Sequence, residues 1–89
     1  MTKKEFMEIA SKIRAYYPES SIMETQDAIS LWYERLKEIP YKVLDEAVNV
    51  WVLNNKWTPT ISDLVEYSDK ATKKIEFERI EKLSMGVHV

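Results

Sequence analysis

The side chains that most often carry out chemistry in proteins are few and scattered in this chain. His88 is the only histidine, Gly86 is the only glycine, and cysteine is absent. A metal site, a nucleophile activated by histidine and a glycine-rich phosphate loop all need residues that this sequence does not supply at the required spacing. The carboxylates Glu78 and Glu81 alternate with basic residues, as on a solvated helix face. We therefore predict that the protein is not an enzyme and uses no metal or cofactor.

Residues better suited to binding a partner lie in the last third of the chain. Phe77, Ile80 and Leu83 fall outside the apolar pattern that precedes them, so a straight helix would carry them on a face turned away from the core. If the chain turns back near Asp69, the same residues extend the core instead. The candidate partner-binding residues are Phe77, Ile80, Leu83, Lys73, Lys74, Arg79 and Trp57.

Three tryptophans could serve as core residues or as binding anchors. Trp32 and Trp51 recur at helical spacing with other apolar residues, so we predict that both lie in the core. Trp57 precedes a helix within a loop. We expect Trp57 to close the core end-on, and the alternative is a partly exposed anchor for a partner.

Composition and charge narrow the class of protein. The 89 residues make one small domain with a net charge of −2, which disfavours a protein that mainly neutralises nucleic-acid phosphates. The absence of cysteine fits a reducing compartment. Met1 to Glu8 is charged, and no long apolar run follows, so we expect no signal peptide and no membrane span. The predicted location is the cytoplasm.

Helix start and stop signals divide the chain into four segments. Thr2 with Glu5 forms a capping box, and Thr60 with Asp63 resembles one. A second helix starts near Thr25. The remaining boundaries are the Tyr17-Pro18 end of the first helix, the start of the third after Pro40, and its stop at Asn54-Asn55, where we expect the left-handed C-cap conformation. The predicted fold is an all-α bundle of four helices.

The fourth helix is predicted to start at Ile61. Its core-facing stripe is expected to comprise Ile61, Leu64, Val65, Ser68, Thr72 and Ile75. The helix either continues past Asp69 or breaks before a fifth helix from about Lys74 to Ser84. Gly86 is the expected C′ residue. We predict a single domain, residues 1–89, with a core at about 3–72 and a charged C-terminal extension at about 73–85.

Several motifs at fold-defining positions carry a family resemblance. They are Leu31-Trp32-Tyr33, Ile39-Pro40-Tyr41 and Pro59-Thr60-Ile61-Ser62-Asp63-Leu64, which follow a first helix ending in Tyr16-Tyr17-Pro18. From about Lys3 to Ser68 the sequence resembles the phage replicative-helicase loader/inhibitor family. The resemblance implies a small all-helical domain that acts in phage DNA replication, and hence in the cytoplasm of a bacterial host. It also implies two partners, the hexameric replicative helicase and an origin-bound initiator protein.

The C-terminal part departs from that family. The helicase contact is there associated with a flexible, polar segment beyond the helical domain, whereas this sequence stops at Val89. Either Lys70 to Leu83 serves as a shortened version of that segment, or the chain keeps the fold without the helicase activity.

Two other functions stay open. A homodimeric module would bury the apolar side chains of Phe77, Ile80 and Leu83 against a second copy of the chain. A DNA-binding regulator would use Lys70, Lys73 and Lys74, although neighbouring carboxylates and the negative net charge disfavour direct nucleic-acid binding.

Overall fold

The computed structural model of the chain describes the backbone of residues 1–88 and the side chains of residues 1–74. Its elements are α1 (Lys3–Tyr16), α2 (Gln26–Leu36), α3 (Tyr41–Asn54) and α4 (Ile61–His88). The described backbone contains no strand. The predicted all-α bundle of four helices is therefore confirmed.

Hydrogen bonds that side-chain oxygens accept from backbone amides cap α1, α2 and α4 at the predicted start positions. The Thr2 amide donates to Glu5 Oε1 at 2.8 Å and the Glu5 amide donates to Thr2 Oγ1 at 3.1 Å. The same reciprocal pair joins Thr60 and Asp63, at 3.0 and 3.2 Å. Thr25 Oγ1 accepts from the Ala28 amide at the start of α2. These bonds satisfy amides that the first turn of a helix leaves without partners.

Every helix contributes to one apolar core. The largest fully buried side chains are Phe6, Ile9, Ile13, Leu36, Leu44, Val48 and Leu64. Trp32, predicted to be core, is half-buried and packs against this cluster. The Lys12 ammonium pairs with Asp45 at 2.9 Å across α1 and α3. Burial of these apolar side chains is the main favourable term that offsets the entropy of ordering so short a chain.

The end of α3 differs from the prediction. Asn55 has φ −136° and ψ 138°, an extended conformation rather than the left-handed one. Its side-chain amide lies 3.3 Å from both the Trp51 carbonyl and the Tyr67 hydroxyl. The helix therefore ends in the extended backbone of Asn55, and both the backbone amide, at 2.9 Å, and the side chain of Asn55 donate to the Trp51 carbonyl. Among the described non-glycine residues, Met23 alone has a positive φ, 52°, and its side chain is buried in the core.

The buried stripe of α4 is narrower than predicted. Leu64 and Ser68 are buried as expected, but Val65 is 40% exposed and Thr72 is exposed. The side chain of Ile75, also predicted for this stripe, lies outside the described residues. Ala71 is buried instead, because α4 packs mainly against α3, with a smaller contact to α2. The stripe therefore follows Leu64, Ser68 and Ala71 at spacings of four and three residues.

The backbone of α4 forms one helix without a break between Asp69 and Lys74. The continuous alternative therefore holds, and residues 74–84 do not form a separate fifth helix. The prediction of Gly86 as a C′ residue was wrong, since the helix continues to His88. At 1.5 Å per residue the 28 residues of α4 span about 42 Å, against about 21 Å for the 14 residues of α3.

Candidate interaction surfaces

The loop between α3 and α4 holds Trp57 in an exposed position. Trp57 is 75% exposed, whereas Pro59 in the same loop is buried. The Trp51 indole Nε1–H donates to the Trp57 carbonyl at 2.7 Å, and the Tyr17 hydroxyl donates to the Asn55 carbonyl at 3.2 Å. The prediction that Trp57 closes the core was wrong, because its side chain is mostly exposed, whereas Trp51 and Pro59 nearby are buried. The alternative, an exposed side chain on a fixed loop, is what the structure has.

An open groove of about 560 Å³ lies beside Trp57, bordered by the end of α1 and the connector that follows it. Tyr16, which is 51% exposed, lines the groove together with Pro18 and Trp57. Glu19 and Lys56 contribute one negative and one positive charge. A rigid surface with exposed aromatic rings is typical of a protein–protein contact, where Trp and Tyr are the commonest energetic anchors.

A second groove, of about 280 Å³, runs between α3 and α4. Its apolar lining comes from Val50 on α3 and from Tyr67 and Ala71 on α4. The Tyr67 ring packs edge-on against Trp51, with centroids 5.0 Å apart and an interplanar angle of 71°. Trp51 therefore supports the Tyr67 ring, which forms part of the groove wall.

Charged and polar side chains form the rim of the α3–α4 groove. Lys70 and Lys74 lie on the α4 side, and Glu46 and Asn54 on the α3 side. The Lys70 ammonium is 5.0 Å from the centroid of the Tyr67 ring, close enough for a cation–π contact. Within the described part of the chain, the rim therefore carries two positive charges and one negative charge.

The structure does not bring the predicted site residues together. Trp57 precedes the start of α4, while Lys73 and Lys74 are exposed on that helix. From Ile61 to Lys73 the helix rises about 18 Å, so Trp57 belongs to a different surface from the two lysines. The remaining candidates have side chains outside the described residues: Phe77, Arg79, Ile80 and Leu83.

The charges of the chain are unevenly distributed. Residues 1–69 contain eight Lys and Arg against twelve Asp and Glu, whereas residues 70–89 contain five against three. The C-terminal part of α4 therefore carries positive charge on a protein that is otherwise acidic. Such an asymmetry favours an acidic partner for that helix.

Two tyrosines outside the α3–α4 groove have raised pKa values. Burial raises the pKa of Tyr17, whose hydroxyl is bonded to the α3–α4 loop. The hydrogen bond to Glu8, at 3.2 Å, raises the pKa of Tyr41. Both phenols are therefore neutral hydrogen-bond donors at physiological pH.

The described residues contain no group of three or more His, Cys, Asp and Glu that could hold a metal ion. In the same part of the chain, no helix combines the length and apolar character needed to span a membrane.

Sequence patterns did not indicate the α3–α4 groove. Ala71 is too small to fill the space between the two helices, and Val50 faces that space from α3. A small residue within a helical stripe, four residues after a large aromatic one, was the available signal. Whether such a small residue leaves a groove depends on which residue of the neighbouring helix faces it, and the sequence pattern does not identify that residue.

Comparison with known protein families gives a match over residues 1–65 of the 89 to the family described as the N-terminal domain of the phage helicase loader/inhibitor. The comparisons with curated proteins and with solved structures gave no match. The matched residues include all the motifs that carried the resemblance. Since the match covers well over half of the chain, the protein belongs to this N-terminal-domain family of phage helicase-associated proteins.

Proposed function

We propose that this protein binds the hexameric replicative helicase during phage DNA replication and regulates its loading and activity. The observation that carries the proposal is the family match over residues 1–65. The mechanism is steric: the protein occupies a surface of the hexamer and is displaced when the origin-bound initiator protein takes over. No catalytic residue is required, since binding alone restrains the helicase.

The contact surface is the C-terminal half of α4. This half extends past the length that α3 can cover, since α4 has 28 residues and α3 has 14. Its sequence combines an apolar strip with an excess of basic residues over residues 70–89. Phe77, Ile80 and Leu83 supply the apolar contact, and Lys73, Lys74 and Arg79 pair with carboxylates of the helicase. Trp57 supplies a separate anchor at the loop end of the bundle.

Size-exclusion chromatography with light scattering tests the proposal. The chain is run alone and then mixed with the cognate hexameric helicase and ATP. We expect co-elution for the wild type and its loss for the Phe77→Ser/Ile80→Ser variant, with helical content and melting temperature nearly unchanged. The matched control is Leu31→Ser/Leu53→Ser, which removes two exposed leucines elsewhere and should still co-elute.

Three results would contradict this proposal in different ways. If the wild type and the helicase elute separately, helicase binding is wrong for this chain. Unfolding of the Phe77→Ser/Ile80→Ser variant would show that these residues belong to the core. A chain that dimerises alone and ignores the helicase would be the homodimeric module instead. The helicase ATPase rate, measured with and without the protein, separates inhibition from loading.

A further inference from the structure

We infer that the groove between α3 and α4 receives an amphipathic helix of the helicase partner, with an apolar face directed inward and acidic residues along its flanks. This inference rests on the proposed function and deepens it, since it names a second part of the contact and the chemistry of the segment that fills it. Three features of the groove carry it: shape, charge and position.

The shape of the groove suits a bound helix. Two antiparallel helices border the groove. Asn55, just after α3, is hydrogen-bonded to Tyr67 on α4, whereas Glu46, near the start of α3, lines the groove together with Lys74, further along α4. Val50 and Ala71 are small, so the space between the helix ridges is open rather than filled. From Glu46 to Asn54 the groove follows nine residues of α3, a rise of about 12 Å or two helical turns. A partner helix fills such a groove with side chains at spacings of three, four and seven residues.

The charge of the rim selects an acidic occupant. Among the residues whose side chains are described, Lys70 and Lys74 on α4 face the carboxylate of Glu46 across the groove. Lys70 pairs with Glu66 at 3.6 Å, but both side chains are about two-thirds exposed, so this intrahelical pair is weak and easily exchanged. The aliphatic stems of the lysines cover apolar surface while their ammonium groups reach the flanks of a bound helix. A basic helix would be repelled at the same two positions.

The position makes one continuous surface with the proposed helicase contact. Lys74 lines the groove and is also part of that contact, together with Lys73 beside it. The C-terminal half of α4 follows directly. A helicase segment that lies along this half of α4 therefore reaches the groove without crossing the acidic remainder of the bundle.

A peptide titration followed by amide NMR tests the groove without the helicase. The probe is a synthetic amphipathic peptide of about 20 residues, long enough to form a helix, with Leu and Ala on one face and Glu and Gln on the others. A second peptide carries Lys in place of each Glu. We expect the acidic peptide at millimolar concentration to shift the amides of Val50, Tyr67 and Ala71, and the basic peptide to leave them unchanged.

Charge reversal gives the matched test with both probe and helicase. Lys70→Glu, which leaves the lysines of the proposed helicase contact unchanged, should weaken both the response to the acidic peptide and helicase binding by several-fold. The control Lys4→Glu makes the same change of net charge at an exposed position on α1, and should bind like the wild type.

Several outcomes overturn the inference. They are equal binding of the two peptides, shifts confined to another surface, no shift at all, and equal loss of helicase affinity in the control. Concentration-dependent shifts at Val50 and Ala71 without peptide would show that a second copy of the chain fills the groove, which also overturns it. Failure of the wild type to bind the helicase contradicts the proposed function, whereas the peptide response still decides whether the groove takes an acidic helix.

Discussion

Replacing Trp51 with phenylalanine tests how the exposed loop is held. Trp51 is only 7% exposed, packs edge-on against Tyr67 and donates its indole N–H to the Trp57 carbonyl at 2.7 Å. Trp51→Phe keeps an aromatic ring beside Tyr67. It removes the donor and leaves the carbonyl of Trp57 without that partner.

The expected loss of stability has two parts. A hydrogen bond of this kind contributes about 0.5–1.5 kcal/mol to the free energy of unfolding. The smaller phenylalanine ring leaves space in a nearly closed site, which costs about 1 kcal/mol more. We therefore expect the free energy of unfolding to fall by about 2 kcal/mol. For a domain of this size the melting temperature should fall by roughly 10 °C.

Urea unfolding followed by far-UV circular dichroism measures the change, and Trp57→Phe is the matched control. Both variants exchange tryptophan for phenylalanine, but Trp57 is mostly exposed and its backbone carbonyl is retained. Its free energy of unfolding should change by less than about 0.5 kcal/mol. Equal effects of the two substitutions would refute the assignment of Trp51 as the buried support and Trp57 as the exposed side chain.

Two further predictions concern unpaired and ionisable groups. Ser68 is 3% exposed, and its hydroxyl has no hydrogen-bond partner among the described residues. Ser68→Ala should therefore raise the free energy of unfolding by about 0.5–1 kcal/mol. A lower melting temperature of the variant would contradict this. The raised pKa values of Tyr17 and Tyr41 mean that their contribution to stability is complete below the unfolded-state pKa of 10.0 and is lost as pH rises through the folded-state values. In denaturation curves recorded across this range, stability should decline less in Tyr17→Phe/Tyr41→Phe than in the wild type, and parallel declines would contradict the shifts.

The helix starts could be predicted because their determinants are local. The reciprocal hydrogen bonds between Thr60 and Asp63 join residues three apart, so a short stretch of sequence contains both members of the capping box. The end of α3 was not predictable in the same way. Asn55 adopts an extended conformation with its side chain near the Tyr67 hydroxyl, 12 residues further along the chain. The stop signal was visible, but its geometry depends on a distant partner.

The exposure of Trp57 was not predictable for a related reason. Trp51 lies on a helix whose apolar period places it in the core, whereas Trp57 lies in a loop without periodicity. In the folded chain the buried loop residue is Pro59, and the Trp57 backbone, rather than its ring, is bonded to Trp51. A loop tryptophan next to a buried proline therefore carries no pattern that distinguishes an anchor from a core residue.

The proposed division between fold and binding follows the bounds of the family match. Residues 1–65 contain α1, α2, α3 and the first turn of α4, together with all the motifs of the resemblance. These residues build the core and the α3 side of the groove. The α4 side, from Tyr67 to Lys74, lies beyond the match, and so does the basic half of α4. The shared segment therefore specifies a bundle that presents one helix, and the residues of that helix beyond the shared segment would select which partner is bound.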